Sequence, residues 1–435
     1  MSSIEKTNQE KIAVIGAGPM GLAVAYQLVK DGFKPVIFET DDRIGGMSAS
    51  FDFDGMTIDR FYHFHCTSDN AFFQILSELG IESKLHWKET KMGYYHKGSV
   101  HSWGNPIALL SFPGLSLFAK IRYGIHVFLS TKRNEWHSLD RINAITWLNR
   151  WIGKEAYEKL WSKLFDYKFY EYSDQISAAW IWSRIRRVGR SRYNIFQEKS
   201  GYLEDGSKTL LQAMKNYIEE KGGDIRVSTK VNKIVIEKDA VKGLHHQDGF
   251  EQFSKVISTI PIPYVPSLIP DLPEAIIAQY ESIKSVAIVC VIVKLKKKVT
   301  NNFWMNVNDP DMEIPGFVEY TNLRPMGQHL VYVPYYIPDN HPKFKESNQV
   351  FIDEVKKYLK VINPDLCDDD FLSVYANRYR YAQPVCTPGF LHKLPPVSLP
   401  VRGLWVADTS YYYPEDRGMS ESIGFGRELA RKAMM

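Results

Sequence analysis

An α/β fold is the reading this sequence supports: a Rossmann-type dinucleotide-binding lobe with a second, α+β lobe interleaved into it. Three observations carry it. A short apolar run near residue 12 enters a G-x-G-x-x-G turn and then a helical pattern. The strand that follows ends on an acid, Glu39. Far along the chain, Tyr413 to Ala430 reads YPEDRGMSESIGFGRELA, a segment with more fixed chemistry than a fraying terminus needs.

Each element has a physical duty. Ile12 to Ile15 is apolar and partly β-branched, the pattern of a buried parallel strand. Gly16 makes the tight turn, Gly18 lets backbone approach a pyrophosphate, and Gly21 lets helix and strand pack closely. Leu22, Ala25, Tyr26 and Val29 recur at helical spacing, and Gly32 ends the helix. Its free N–H groups and dipole receive the phosphate charge. Pro35 to Phe38 forms the next strand, and Glu39, 18 residues beyond Gly21, is placed to accept ribose hydroxyls.

Composition narrows the class. At 435 residues the chain exceeds one small core, and two lobes are expected. The 25 Tyr, 23 Phe and 10 Trp suit either a broad apolar cavity or a large aromatic core. A net charge of +4 implies no nucleic-acid partner. Cys66, Cys290, Cys367 and Cys386 are scattered, which excludes a zinc site or disulfide framework and fits a reducing compartment. MSSIEKTNQEK has no apolar signal core, and the tract Ile107 to Ala119 is shorter than the ~20 residues of a membrane span. The expectation is a cytoplasmic protein without a bound metal.

After Glu39 comes DDRIGG, with Arg43, Gly45 and Gly46. Here the chain resembles the FAD-dependent amine oxidase superfamily, which includes protoporphyrinogen oxidases and phytoene desaturases and has a glutathione-reductase-like FAD lobe. In that superfamily an Arg-x-Gly-Gly element runs beside the flavin diphosphate and ribitol. The likeness continues in GYLEDGSKTLLQAM (Gly201 to Met214), in Val231, which matches an adenine-gripping position, and in KVISTIPIPYV (Lys255 to Val265). It closes with GLWVADTSYYYPEDRGMSESIGFGRELA, where Asp408 matches a ribityl–phosphate contact and the helix from Gly418 points at the pyrimidine edge of the ring. Many relatives carry Gly-Asp where this chain has Ala407-Asp408. The resemblance implies FAD held by Gly16, Gly18, Pro19, Met20, Gly21, Glu39, Thr40, Arg43, Gly45, Gly46, Met47, Val231, Asp408, Arg417, Gly418, Met419 and Ser420. SAAWIWSRIRRVGRSR, GFVEYTNL and RYAQPVCTPGF are similar to a bacterial protoporphyrinogen-oxidase-like branch.

The expected layout is discontinuous: FAD lobe 1–91, helical substrate lobe 92–199, FAD lobe 200–265, β-rich substrate lobe 266–375 and FAD lobe 376–435. FYHFHC (Phe61 to Cys66) resembles the segment that passes the reactive face of the flavin. His63 and His65 alternate there, as catalytic proton handlers or as pocket walls. Five arginines lie between Arg184 and Arg192, either a solvated face or a dock for a substrate phosphate or carboxylate. Arg184, Arg187 and Tyr381 are the candidate substrate contacts. Residues 105–129 mix apolar faces with Lys120, Arg122 and His126, either a buried helix pair or a peripheral membrane contact on the cytoplasmic face.

The implied activity is FAD-dependent oxidoreduction: hydride passes from a small-molecule or lipid-linked substrate to flavin N5, and oxygen or another acceptor reoxidises it. No second G-x-G-x-x-G follows a strand, so no built-in NAD(P)H site is expected. The rivals are a non-redox isomerase similar to UDP-galactopyranose mutase and a flavin-binding protein without turnover. An amine, a polyene, a porphyrinogen and a lipid-linked sugar all remain open as substrates, and no oligomeric state is assigned.

Overall fold

The computed structural model describes residues 10–194 and 197–435, so most of the segment read for a signal sequence lies outside the described residues. Ile12–Ile15 is buried along its whole length and sits at the centre of a five-stranded parallel sheet. Its neighbours are Val36–Phe38 and Lys255–Ser258, flanked by Asp224–Arg226 and Leu404–Val406, so widely separated segments converge on one sheet.

The glycine turn behaves as its spacing predicts. Gly16 has φ +98°, and a Cβ on Gly21 would stand 1.9 Å from the Gly16 carbonyl oxygen. Helix Pro19–Lys30 therefore begins pressed against the strand end. The last helix, Met419–Met434, lies across its first turns because Gly426 has no side chain. A Cβ there would meet Met20 O at 2.5 Å and Ala23 Cβ at 2.9 Å. Arg427 seals the contact, with Nε donating to Gln27 Oε1 (3.0 Å) and Nη1 to Glu78 Oε1 (2.9 Å) on helix Asn70–Glu78.

The second lobe is built on a seven-stranded mixed sheet. Its order is Phe371–Pro384, Ser285–Leu295, His329–Pro338, Gly316–Glu319, Trp304–Asn308, Met92–His96 and Ser99–Trp103. Ser285–Leu295 is buried on both faces because helix Asn348–Ile362 covers one side and the main core the other. The expected lobe boundaries shift at two points. Residues 92–103 are a hairpin, turned by Lys97 and Gly98 with φ +51° and +75°, and they pair with Trp304–Asn308 instead of opening the helical segment. Strand Phe371–Pro384 also runs past residue 375, since its pairing with Ser285–Leu295 continues to its end.

The helical segment proper holds Pro106–Ser111, Leu117–Lys132, Ala144–Leu160, Ser162–Phe169 and Ala178–Arg190. Gly153, at φ +83°, breaks the third of these. Phe61 to Cys66 forms no strand beyond one bridge, His65 to Gly201, so strand alternation does not set its histidines. Among the described residues no helix is long and apolar enough to cross a membrane, and no group of His, Cys, Asp and Glu could hold a metal.

Gly426→Val should force the two helices apart. We expect a loss of about 1–3 kcal/mol in unfolding free energy by denaturant titration, the usual range for overpacking a tight contact.

Candidate functional site

Two glycine turns face each other at the mouth of the parallel sheet. The loop carrying Gly45 (φ +111°) and Gly46 (φ +54°) is pinned by the Gly45 N–H to Ala17 O at 2.8 Å. A Cβ on Gly46 would lie 3.5 Å from Gly18 Cα, whereas one on Gly18 would meet nothing within 4 Å. Bare backbone thus lines both sides, and no side chain caps the helix that starts at Pro19. Met20 is buried in that first turn and Met47 half-buried in the opposing loop. Uncapped N–H groups beside a gap free of side chains fit a diphosphate.

Glu39 closes the strand end. Its Oε2 accepts from Ala17 N (2.8 Å) and its Oε1 from Asp41 N (2.9 Å). Burial pushes its pKa up, and these hydrogen bonds oppose the rise. Thr40 beside it is exposed. Thr229 N donates to Glu39 O at 2.7 Å, which brings Val231, two residues on, to the same end of the lobe. Arg43 is half-exposed and grips its neighbour Asp42 through Nε (2.6 Å) and Nη2 (2.8 Å). The cation fixed behind the second glycine loop is instead Arg60, which donates through Nη1 to Asp41 Oδ2 and to Gly46 O. Sequence reasoning missed it because its partners lie across a hairpin. Asp408 is buried with its oxygens on Ile262 N (3.0 Å) and Ser410 N (2.8 Å), tying two strand ends together, and burial raises its pKa.

At the start of the last helix, Gly418 is the extended N-cap and Ser420 Oγ accepts from Phe72 N at 3.3 Å. Met419 is buried and Arg417 donates to Tyr336 OH at 3.4 Å. This N-terminus is not left to a ligand alone. The Glu421 carboxylate folds back over it, so close that a Cβ on Gly418 would sit 2.0 Å from Oε2. Burial lifts the Glu421 pKa to about 7 against the pull of Arg187. An acid three residues into a helix is a readable capping signal that the motif reading passed over.

The arginine run is not a solvated face. Arg184 pairs with Asp416 at 2.5 Å, Arg186 with Glu415 at 3.4 Å and Arg187 with Asp69 at 3.5 Å. Ser183 Oγ donates to Pro414 O at 2.6 Å. Arg190 donates to Thr131 O and Asn134, and Arg192 pairs with Glu198. Three of the five arginines therefore hold the 414–416 segment and the start of helix Asn70–Glu78.

The two histidines part company. His63 Nε2 is 3.1 Å from Ser48 Oγ and its Nδ1 is 3.4 Å from Asp59 Oδ2. Asp59 is buried; burial alone would raise its pKa, but His63, Ser207 and Ser50 together hold it below the usual value. His65 is 3% exposed and stacks on Phe72 with ring centroids 3.6 Å apart, so it is a packing residue, and burial lowers its pKa. Tyr381 stands elsewhere, edge-on to Tyr264 at 4.9 Å, lining a cleft of about 210 Å³ with Tyr172, Tyr280 and Lys284.

Because the folded-state pKa of Glu421 is raised, its stabilising contribution is complete below about pH 4.5 and is lost as pH rises to about 7. Glu421→Gln, which cannot ionise, should therefore gain stability over the parent across that window. The gain should be at most about 1.4 kcal/mol per pH unit, read from denaturation midpoints.

Comparison with known proteins agrees with this geometry. The family described as flavin containing amine oxidoreductase matches residues 21–412. A 15-cis-phytoene desaturase of Synechococcus elongatus is 24% identical over 67% of this chain, and the match spans 66% of the desaturase's own length. Among solved structures, putrescine oxidase bound to putrescine superposes with a TM-score of 0.75 at 15% identity, covering 98% of this chain and 99% of that one. Reduced UDP-galactopyranose mutase does so with 0.76 at 17%, covering 98% and 94%. At such identities the structural likenesses speak to the fold. With a family match across most of its length and a diphosphate cradle of bare backbone, the chain belongs to the flavin-containing amine oxidoreductases, as an FAD-dependent oxidoreductase.

Proposed function

We propose that this enzyme dehydrogenates an organic substrate at the seam between its two lobes. The observation that carries the reading is an aromatic wall meeting the start of the last helix. Tyr62 packs edge-on against Trp304 and Tyr332 at 5.7 and 5.9 Å, and Tyr336 on the same sheet takes the hydrogen bond from Arg417. When bound, FAD would be held by the Gly16–Gly21 turn and the Gly45–Gly46 loop and would supply a two-electron acceptor for a substrate hydride, with oxygen or another acceptor for its reoxidation. The aromatic wall holds the substrate C–H bond and excludes water. His63, fixed between Ser48 and Asp59, is the group we assign to hold the accompanying proton. In this reading Arg184 is a substrate contact and Tyr381, in its separate cleft, is not, while Arg187 acts through Asp69 and Glu421 on the helix start.

A second reading, a non-redox isomerase of a sugar nucleotide, is favoured by one observation, the buried cations beside the seam. One experiment separates the two. The FAD-loaded protein is mixed anaerobically with amines, polyenes, porphyrinogens and lipid-linked sugars. We expect one class to bleach the oxidised flavin band. Turnover only after dithionite reduction, without net redox change, would replace this reading with the isomerase. No response from any class in either state would leave a flavin-binding module.

The helical segment supports a place of work. Helix Leu117–Lys132 is amphipathic inside out: Ala119, His126 and Ser130 face the protein, while Leu117, Phe118, Ile121, Ile125, Phe128 and Leu129 are exposed, Phe118 at 70%. Ile107 and Leu110 on the preceding helix and Trp151 extend the patch. Residues 105–134 hold Lys120, Arg122, Lys132 and Arg133 and no acid. A patch this large, with basic groups around it, matches an anionic bilayer surface. We therefore propose peripheral docking on anionic lipid. The protein should co-sediment with phosphatidylglycerol-containing vesicles at low salt, and Phe118→Ser with Phe128→Ser should cut binding several-fold. Absence of binding at low salt, or a dimer that buries the patch in solution, would remove this proposal.

A further inference from the structure

Lys168 lies in the last turn of helix Ser162–Phe169 and is 3% exposed, yet it makes no hydrogen bond and no ion pair with any described residue. Three rings surround its Nζ: Tyr336 at 4.3 Å, Trp180 at 5.1 Å and Phe169 at 5.9 Å. Beside it, Arg184 lies flat on the Trp180 ring, its Cζ 3.9 Å from the centroid, and Arg417 stands 5.6 Å from the Tyr336 centroid. Two guanidinium groups and the Lys168 amine thus converge on Asp416, which binds Arg184 and shares the surroundings of Lys168. Burial first, then Arg184, pushes the Lys168 amine well below the ordinary lysine range.

The same place collects buried polar atoms without partners: Trp180 Nε1, Arg184 Nε and Arg417 Nη1 among donors, and Asp416 Oδ1 as an acceptor. Each such atom is a cost to the fold if it stays unmet, and cation–π contacts offset only part of the cost of burying an unpaired amine. A lysine kept for packing would be replaced at a gain by Met in so apolar a cage. Arg186 and Arg187 pair with Glu415 and Asp69 and, like Arg184, each leaves a buried Nε without a partner.

We propose that Lys168, Arg184, Arg417 and the Trp180 indole N–H form an anion subsite that receives a carboxylate or phosphate of the substrate. A hydroxyl or amine beside that group would meet Asp416 Oδ1. The inference rests on reading the seam as the substrate site, and it specifies the substrate's chemistry: an anion next to a hydrogen-bond donor. The same chemistry could come from the reduced flavin's own negative edge, and the test separates these sources.

The probes are inorganic phosphate and acetate, titrated into the oxidised FAD holoenzyme, where the ring is neutral. Calorimetry and the flavin difference spectrum follow binding. We expect saturable binding that weakens at least tenfold in Lys168→Met and Arg184→Met. Arg190→Met, whose parent side chain is tied to Thr131 and Asn134, should bind like the wild type. Lys168→Gln replaces Lys168→Met if the latter fails to load FAD, and Lys168→Arg should recover part of the binding. Absence of saturable binding in the wild type, or unchanged binding in both Lys168 variants, overturns the proposal. So does a variant that binds the probes normally while its flavin potential falls, since the cluster would then serve the cofactor. No turnover is needed, so failure here is distinct from failure of the dehydrogenation reading.

Discussion

Partly buried charge holds the two lobes in register. Glu415 and Asp416 meet Arg186 and Arg184 on one helix, Ser183 takes the Pro414 carbonyl, and Tyr413 OH shares Ser177 and Asp140 at 2.7 and 2.6 Å. Arg184 and its neighbours draw the Asp416 pKa down to about 2 despite burial. Pairs like these contribute little net stability, because desolvation offsets most of the attraction, but leaving one partner alone is costly. Their consequence is geometric: the segment entering the last helix has one well-satisfied position. Since that helix lies on the first through Gly426, the position of the tail is transmitted to the diphosphate turn. The flavin cradle and the wall we propose for the substrate are therefore located by the same set of contacts.

What the sequence made legible follows from how local each signal is. The strand–turn–helix around Gly16, Gly18 and Gly21 and the acid at Glu39 are written within thirty residues, and the structure keeps their spacing. Runs such as Ser285–Leu295 and His329–Pro338 announce strands by composition. The hairpin at 92–103 was hidden because its sheet partner, Trp304–Asn308, lies about two hundred residues away. The arginines illustrate the same limit. Their charge was visible, but a solvated face and a buried clamp look alike until Glu415 and Asp416 are seen opposite them. His63 and His65 looked equivalent by spacing, and only tertiary contact assigns one to Asp59 and the other to Phe72. Lys168 carried no signal at all, being one lysine in an ordinary helical pattern.

The distribution of unmet polarity is the last step. Some buried charged side chains are fully partnered within the chain: Glu319 takes three bonds from Val299 and Thr300, and Lys343 is shared by Glu313 and Glu354. Others are not: unpaired buried atoms occur singly at His96, His126, Ser258 and Tyr335, and as a group on Trp180, Arg184, Arg186, Arg187, Asp416, Arg417 and Glu421. The set beside the last helix is linked by its ion pairs, and it is the hydrogen-bonding capacity that the proposed anion subsite would use. The excess is of donors and cations over acceptors, so the arriving group is electron-rich. The clamp and the proposed subsite are thus two uses of one arginine helix: Arg186 and Arg187 hold Glu415 and Asp69, and Arg184, which holds Asp416 and stacks on Trp180, is the member that adjoins Lys168.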